Sequence, residues 1–287
     1  MTKRAVVTGA NSGIGLATAH RLARDGFEVW AGARSADGLA AIEQAAADAG
    51  LDSIRPVPLD VTDGASVHAA FAAIQADGPV DVLVNNAGIT GAGSVEETPI
   101  ETYQAMFDTN VLGVVRCIQE VLPGMRAARS GRIVNISSSS AIQSPPLMAP
   151  YATTKMAVEG ISESLQAEVA PYGIRVAAIQ AGTIMTPIWG KNPPPPDDTP
   201  YPEARDFLLK VLSHQLMNSG VPAEAVADVI ADAVATDAPP LRHLVGDAEH
   251  LAVLQAKHGD EVIEAFFLDR EAFRRRYADL AGIDYWA

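Results

Sequence analysis

The chain has 287 residues, 48% hydrophobic and 20% charged, which supplies a sizeable core and excludes wholesale disorder. Its formal charge of −14 excludes a phosphate-neutralising basic surface, so nucleic acid is not an expected partner. One cysteine, Cys117, leaves no intrachain disulfide, no run of about 20 uncharged apolar residues offers a membrane span, and Ala5-Val6-Val7 is too short for a signal-peptide core, so a cytoplasmic protein without a membrane partner is expected.

In chain order, short apolar runs alternate with longer stretches of helical period. Strands are predicted over 4–8, 27–31, 54–59, 80–85, 132–137 and 175–180, and helices over 13–24, 35–49, 63–76, 99–129 and 151–170. This alternation builds βαβ units and an α/β fold with a doubly wound parallel sheet. The strands are near-continuously apolar, as required when helices cover both faces. Cys117 shares an apolar helix face with Val114, Ile118 and Val121, which marks a buried small hydrophobe rather than a nucleophile. Residues 191–198, with four consecutive prolines, are expected to form a stiff loop in a surface insertion rather than an SH3-type ligand. Helices follow over 201–216 and, opened by Pro222, over 223–236. A strand is predicted over 241–245, and helical sequence carrying Phe266, Phe267, Phe273 and Tyr277 runs to Trp286. With no internal repeat, one domain over 1–287 is expected: a cofactor and catalytic core over 1–190, then a substrate lid and C-terminal extension over 191–287.

The first strand runs into Thr8-Gly9-Ala10-Asn11-Ser12-Gly13-Ile14-Gly15. Glycines here let the backbone turn sharply and approach a pyrophosphate, which the free N–H groups of the next helix would hold. Gly9, Asn11, Ser12, Gly13, Ile14 and Gly15 are therefore candidate dinucleotide contacts. The spacing is Gly-x-x-x-Gly-x-Gly rather than Gly-x-Gly-x-x-Gly. At the end of the second strand, where a ribose is read, stands Arg34 after the non-acidic Ala33. That pair favours the 2′-phosphate of NADP(H), with NAD(H) still possible; alternatively Arg34 is a solvated residue opening the next helix. Asp60, followed by Val61, either accepts from the adenine amino group or caps the helix near Asp63.

Tyr151 and Lys155 stand four apart on one helix face, so phenol and ammonium are neighbours. A nearby cation is expected to lower the phenol pKa from about 10 and equip it for acid/base work. The preceding strand ends at Ser137-Ser138, and ligands bind beyond the carboxyl ends of parallel strands. The glycine turn, the serine and the Tyr–Lys helix thus face one crevice.

With these motifs the sequence resembles the short-chain dehydrogenase/reductase family from residue 3 to about residue 190. Asn85-Asn86-Ala87-Gly88 matches its structural motif, with Asn86, Ala87 and Gly88 beside the adenosine, and Asn110 matches its active-site asparagine. The resemblance implies a Rossmann fold and an oxidoreductase moving hydride between NAD(P) and a carbonyl or alcohol carbon. It implies that Tyr151 exchanges the proton, Ser138 stabilises the substrate oxygen, Lys155 holds the nicotinamide ribose and lowers the tyrosine pKa, and Asn110 positions a relay water. No metal is implied. One departure is Ala181-Gly182, where the family has Pro-Gly; Gly182, Ile184 and Thr186 remain as cofactor contacts, Ile184 by its backbone. Ile142, Pro145, Pro146, Leu147, Met148, Ile188 and Trp189 are candidates for an apolar pocket. The extension resembles steroid- and retinoid-dehydrogenase-like members, which suggests a hydrophobic ketone, aldehyde or secondary alcohol. A non-catalytic NADP-sensing protein on the same fold has no need for the intact catalytic set. Epimerase or dehydratase relatives carry a different glycine spacing. The helices over 99–129 and 151–170 are apolar on more than one face, so a homodimer is expected.

Overall fold

The structure, a computed structural model, describes residues 2–76, 78–191 and 194–286, without the side chain of Phe267; Asn192 and Pro193 of the expected proline loop lie outside the described residues. Seven strands form one sheet: β1 (Arg4–Val7), β2 (Glu28–Ala33), β3 (Ile54–Pro58), β4 (Val82–Asn85), β5 (Gly131–Ser138), β6 (Ile174–Ala181) and β7 (Arg242–Val245). Their order is β3-β2-β1-β4-β5-β6-β7 and every neighbouring pair is parallel. All seven predicted strands form, with ends slightly shifted. The chain reverses direction across the sheet between β1 and β4, which opens a crevice at the carboxyl ends.

Helices α1 (Gly13–Arg24), α2 (Ala36–Asp48) and α3 (Gly64–Gln75) alternate with the first strands. Side chains of β1 alternate across the sheet. Ala5 and Val7 join Leu22 of α1 and Ile42 of α2 in one core, while Val6 joins Phe71 and Ile74 of α3 in the other. The predicted helix over 99–129 needs correction. It divides into α4 (Ile100–Phe107), a π-helical turn (Asp108–Leu112) and α5 (Gly113–Ala128). A single wide turn leaves the apolar period on either side nearly intact, so periodicity does not reveal it. Helix α6 (Ala149–Val169) packs against β5 and β6.

Beyond residue 191 come α7 (Pro202–Asn218), α8 (Ala223–Ala235), α9 (Ala248–His258), α10 (Glu261–Glu264) and α11 (Arg270–Ala281). This segment completes the sheet through β7 and covers one face through α8, whose Val226 and Ile230 are fully buried. It also builds a third core around Phe207, whose ring centroid lies 4.9 Å from that of Tyr277, 5.2 Å from Phe266 and 5.5 Å from Phe273. No helix among the described residues is long and apolar enough to cross a membrane.

Candidate active site

The glycine turn after β1 lies against the loop after β4. Gly9 adopts φ +62°, and a Cβ there would come within 2.8 Å of Ala87 Cα. At Gly15 a Cβ would meet Asn86 Nδ2 and the Gly9 carbonyl. Side chains hold the two loops together: Thr8 Oγ1 accepts from the N–H of Asn86 (3.0 Å) and Ala87 (2.9 Å), and Asn86 Nδ2 donates to the carbonyls of Thr8 and Gly9. Gly15 lies beneath this clamp, while Gly9, Asn11, Ser12, Gly13 and Ile14 line a groove at the N-terminus of α1. Its free N–H groups and the closely approaching backbone suit an anionic diphosphate.

Arg34, Asp60, Val61, Asn86, Ala87, Gly88 and Thr186 line the same groove. Arg34 is exposed. Asp60 does not cap α3; Asp63 does, accepting from Ala65 N. Instead Asp60 Oδ1 accepts from Thr62 N (3.0 Å) and Thr62 Oγ1 (2.7 Å). The Thr62 backbone bond, aided by its hydroxyl and the charges of Arg34 and Arg116, holds the Asp60 carboxyl below its ordinary range against the opposing effect of burial. Lys191 also lines the groove, and no motif pointed to it.

The groove joins a deeper cavity along Ile14, Asn86, Gly88, Thr90, Thr186 and Ile188. At this junction stand the catalytic candidates. A Cβ on Gly88 would lie 3.8 Å from Lys155 Nζ. Ser138 ends β5 and bonds to the Tyr151 phenol on α6. Lys155, one turn on, is buried, and its Nζ donates to the Ile136 carbonyl at 2.8 Å. A buried polar chain fixes α6 to the sheet: Asn85 Nδ2 donates to Asn135 Oδ1, and Asn135 Nδ2 to Ser162 Oγ, both at 2.9 Å.

The electrostatics correct one expectation. Burial raises the Tyr151 phenol above its ordinary range, and only the Ser138 hydrogen bond opposes it. Lys155 Nζ lies 5.6 Å from the centroid of the tyrosine ring and is committed to Ile136. Burial pushes Lys155 itself down to about 8. Desolvation, rather than the i,i+4 cation, decides both directions.

Asn110 sits inside the π turn at 1% exposure. Its Oδ1 accepts from Ile89 N, and its Nδ2 donates to the Ile89 carbonyl and to Thr154 Oγ1. Both amide donors are engaged, so the side chain ties the loop after β4 to α6.

Gly182 and Ile184 line the cavity beside Tyr151. The proline missing before Gly182 is offset by a contact from the far end of the chain. Asp247, after β7, accepts from Thr183 N at 2.7 Å through Oδ1 and from Thr183 Oγ1 at 2.9 Å through Oδ2. Gly182 N donates to the Val245 carbonyl, and a Cβ on Gly182 would clash with the Asp247 carboxylate. Of the pocket candidates, Pro145, Pro146, Met148, Ile188 and Trp189 line the cavity. Ile142 does not, and Leu147 is buried in a small core with Leu208 and Met148. The opposite wall is Phe207, Leu208, Val211 and Leu212 of α7 with Leu251, Val262, Phe266 and Tyr277, which sequence pattern did not place there. Cys117 is fully buried and its thiol is pushed up to about 12 by burial, so it is no nucleophile.

Comparison with known proteins agrees with this geometry. The family profile described as short chain dehydrogenase matches residues 3–196. The chain is 40% identical over 236 residues to the uncharacterized oxidoreductase YusZ of Bacillus subtilis, covering 79% of this chain and 83% of that protein. It is 34% identical over 248 residues to retinol dehydrogenase 8 of Bos taurus, covering 83% and 79%. Among solved structures, a short-chain dehydrogenase from Streptomyces avermitilis superposes with TM-score 0.81 at 33% identity, covering 96% of this chain and 98% of that one. A variant actinorhodin polyketide ketoreductase with NADPH superposes with TM-score 0.74 at 32% identity, covering 85% and 95%.

Proposed function

The chain belongs to the short-chain dehydrogenase family, an oxidoreductase acting at a CH–OH or C=O carbon with a nicotinamide cofactor, and from that premise we propose that it interconverts apolar ketones or aldehydes and their alcohols with NADP(H). The observation that carries this reading is the junction where Tyr151, Ser138 and Lys155 stand between the glycine-turn groove and the apolar cavity. NADP(H) fits the groove: the glycine turn and the N–H groups that open α1 suit a diphosphate, and Arg34 is exposed on the same groove for a 2′-phosphate. The NADPH of the ketoreductase neighbour supports the choice, and the retinol dehydrogenase relative supports an apolar substrate. The bound nicotinamide supplies or takes the hydride.

The chain's own residues handle the proton. Tyr151 gives its phenolic proton to the substrate oxygen during reduction and removes it during oxidation. Ser138 donates a hydrogen bond to the same oxygen and stabilises charge growing there. Lys155, with one of its three N–H donors on the Ile136 carbonyl, would hold the cofactor ribose with the others. Asn110, its side chain engaged with Ile89 and Thr154, fixes the π turn against the loop after β4 and α6 and positions a relay water from there. With the cofactor bound, Asp60 and Val61 would hold the adenine side, and Gly182, Ile184 and Thr186 the nicotinamide side. The segment after 191 belongs to the same domain, closing the cavity as well as extending the sheet.

Arg34 carries the cofactor choice. A charge-assisted bond to the 2′-phosphate contributes about 1.5–3 kcal/mol, or about ten- to a hundredfold preference for NADP(H) over NAD(H). Joint Ala33→Asp and Arg34→Ser substitution should invert it, because a carboxylate binds the ribose diol and repels the phosphate. The measurement is kcat/KM for each cofactor with a panel of medium-chain ketones, followed by absorbance of the reduced nicotinamide. Equal use of NAD(H) by the unmodified protein removes Arg34's role, and no turnover of any ketone removes the reaction.

The exposed Leu112 (49%) and Met156 (44%), beside α5 and on α6, support a homodimer through these helices. Light scattering at micromolar concentration should give twice the chain mass. A single-chain mass would refute it.

A further inference from the structure

One polar side chain interrupts the apolar wall contributed by α7. Gln215 lines the cavity, and its carboxamide lies 3.2 Å from Thr183 Oγ1 through the atom placed as Oε1. Thr183 Oγ1 is also 2.9 Å from Asp247 Oδ2. A hydroxyl has one proton to donate and a carboxylate can only accept. Two acceptors therefore compete for one proton. The carboxylate has the stronger claim, since a bond to an ionised acceptor is the stronger one. A carboxamide turned by 180° donates where it accepted, and the two placements are indistinguishable in heavy-atom shape. With the Thr183 proton on Asp247, the contact to Gln215 is a hydrogen bond only when Nε2 faces Thr183, which turns Oε1 away from it. No other side-chain hydrogen bond of Gln215 exists among the described residues.

We infer that Gln215 is a specificity-determining residue whose Oε1 accepts a hydrogen bond from a hydroxyl or N–H group on the substrate, apart from the reacting carbonyl. This rests on the reading of the cavity as the site for an apolar carbonyl compound. Thr183 follows Ala181 by two residues, and Ala181 pairs in register with Ser138. The acceptor is thus at the same end of the sheet as the oxygen that Ser138 and Tyr151 address. Leu208, Leu212 and Leu251 enclose the rest of the ligand. An apolar group covering an unpaired amide oxygen leaves that oxygen without water, so the site penalises ligands that lack the donor.

The test is calorimetric titration of the NADP+-loaded protein, in which no ketone is reduced and the absorbance of reduced nicotinamide is followed to exclude oxidation of the added hydroxyl, with decan-3-one, 1-hydroxydecan-3-one and 1-methoxydecan-3-one. The hydroxyketone is expected to bind about three- to tenfold more tightly than the other two, the scale of one neutral hydrogen bond. Gln215→Met should bring the three together. Thr183→Val, which frees the amide to rotate, should narrow the gap between hydroxy and methoxy compounds. A wild-type protein that prefers the methoxyketone to decan-3-one, or a hydroxyketone preference that survives Gln215→Met, overturns the inference. Parallel assays with NADPH separate it from the reaction itself: tight, Gln215-dependent binding of the hydroxyketone without turnover upholds the amide's role while removing the reductase reading.

Discussion

Tyr151→Phe is expected to lower kcat by about a hundred- to ten-thousandfold while leaving NADPH binding near that of the unmodified protein. The substitution keeps the ring and removes only the hydroxyl, and general acid/base groups contribute on that scale. The ring packs against the small core with Leu208 and Met148, so the helix and the Lys155 contact to Ile136 should persist. In reduction the raised phenol pKa is an advantage, because the proton stays in place through neutral pH. Ser138 remains as a donor to the substrate oxygen and accounts for residual turnover. Steady-state kinetics with a ketone, beside fluorescence titration of NADPH, separates the two quantities. Turnover within a few-fold of the unmodified enzyme would show that another group delivers the proton.

The second large effect belongs to Lys155. Burial moves its pKa to about 8, so the free enzyme loses the ammonium as pH rises through that value. If the ammonium is what grips the cofactor ribose, kcat/KM for NADPH should fall above about pH 8, since this parameter reports the free enzyme. Lys155→Met removes a charge-assisted bond, expected to cost roughly tenfold or more in kcat/KM, and should erase the alkaline limb. Lys155→Arg, which stays protonated, should shift the limb beyond the accessible range. An alkaline limb near pH 8 that persists in Lys155→Met would assign it to another group. The stability consequence has a defined sign. An unfolded lysine binds its proton near 10.4 and the folded one near 8, so between these values the unfolded chain holds more protons. Stability of the cofactor-free protein therefore declines as pH is lowered through that window, and the penalty is complete below about 8. A Tm that falls between pH 10 and pH 8 in the unmodified protein, but less in Lys155→Met, is the expected signature.

The sheet was legible because a parallel strand covered on both faces must be apolar at nearly every position, and runs such as Ala5-Val6-Val7 and Ile174 to Ala181 say so locally. The candidate site was legible because its motifs are short: the glycine turn, the loop at Asn86, and the i,i+4 pair of Tyr151 and Lys155. The π turn at Asp108–Leu112 was not, because one widened turn leaves the surrounding period intact. Nor were the partners of the Asn110 amide, which bonds to Ile89 and Thr154.

By itself, then, the sequence determined the strand–helix alternation, the place of the candidate site at the strand ends and the residue proposed as proton donor, since each depends on residues adjacent in the chain or one helical turn apart. The tertiary structure decided the rest. It set the direction of the Tyr151 and Lys155 shifts, because desolvation is a property of everything packed around a group. It supplied Asp247, 64 residues from Thr183, as the brace for a loop lacking its proline. It brought Phe207, Leu208 and Gln215 of α7 to the wall of the cavity, because a helix's apolar stripe specifies that it must be covered but not by what.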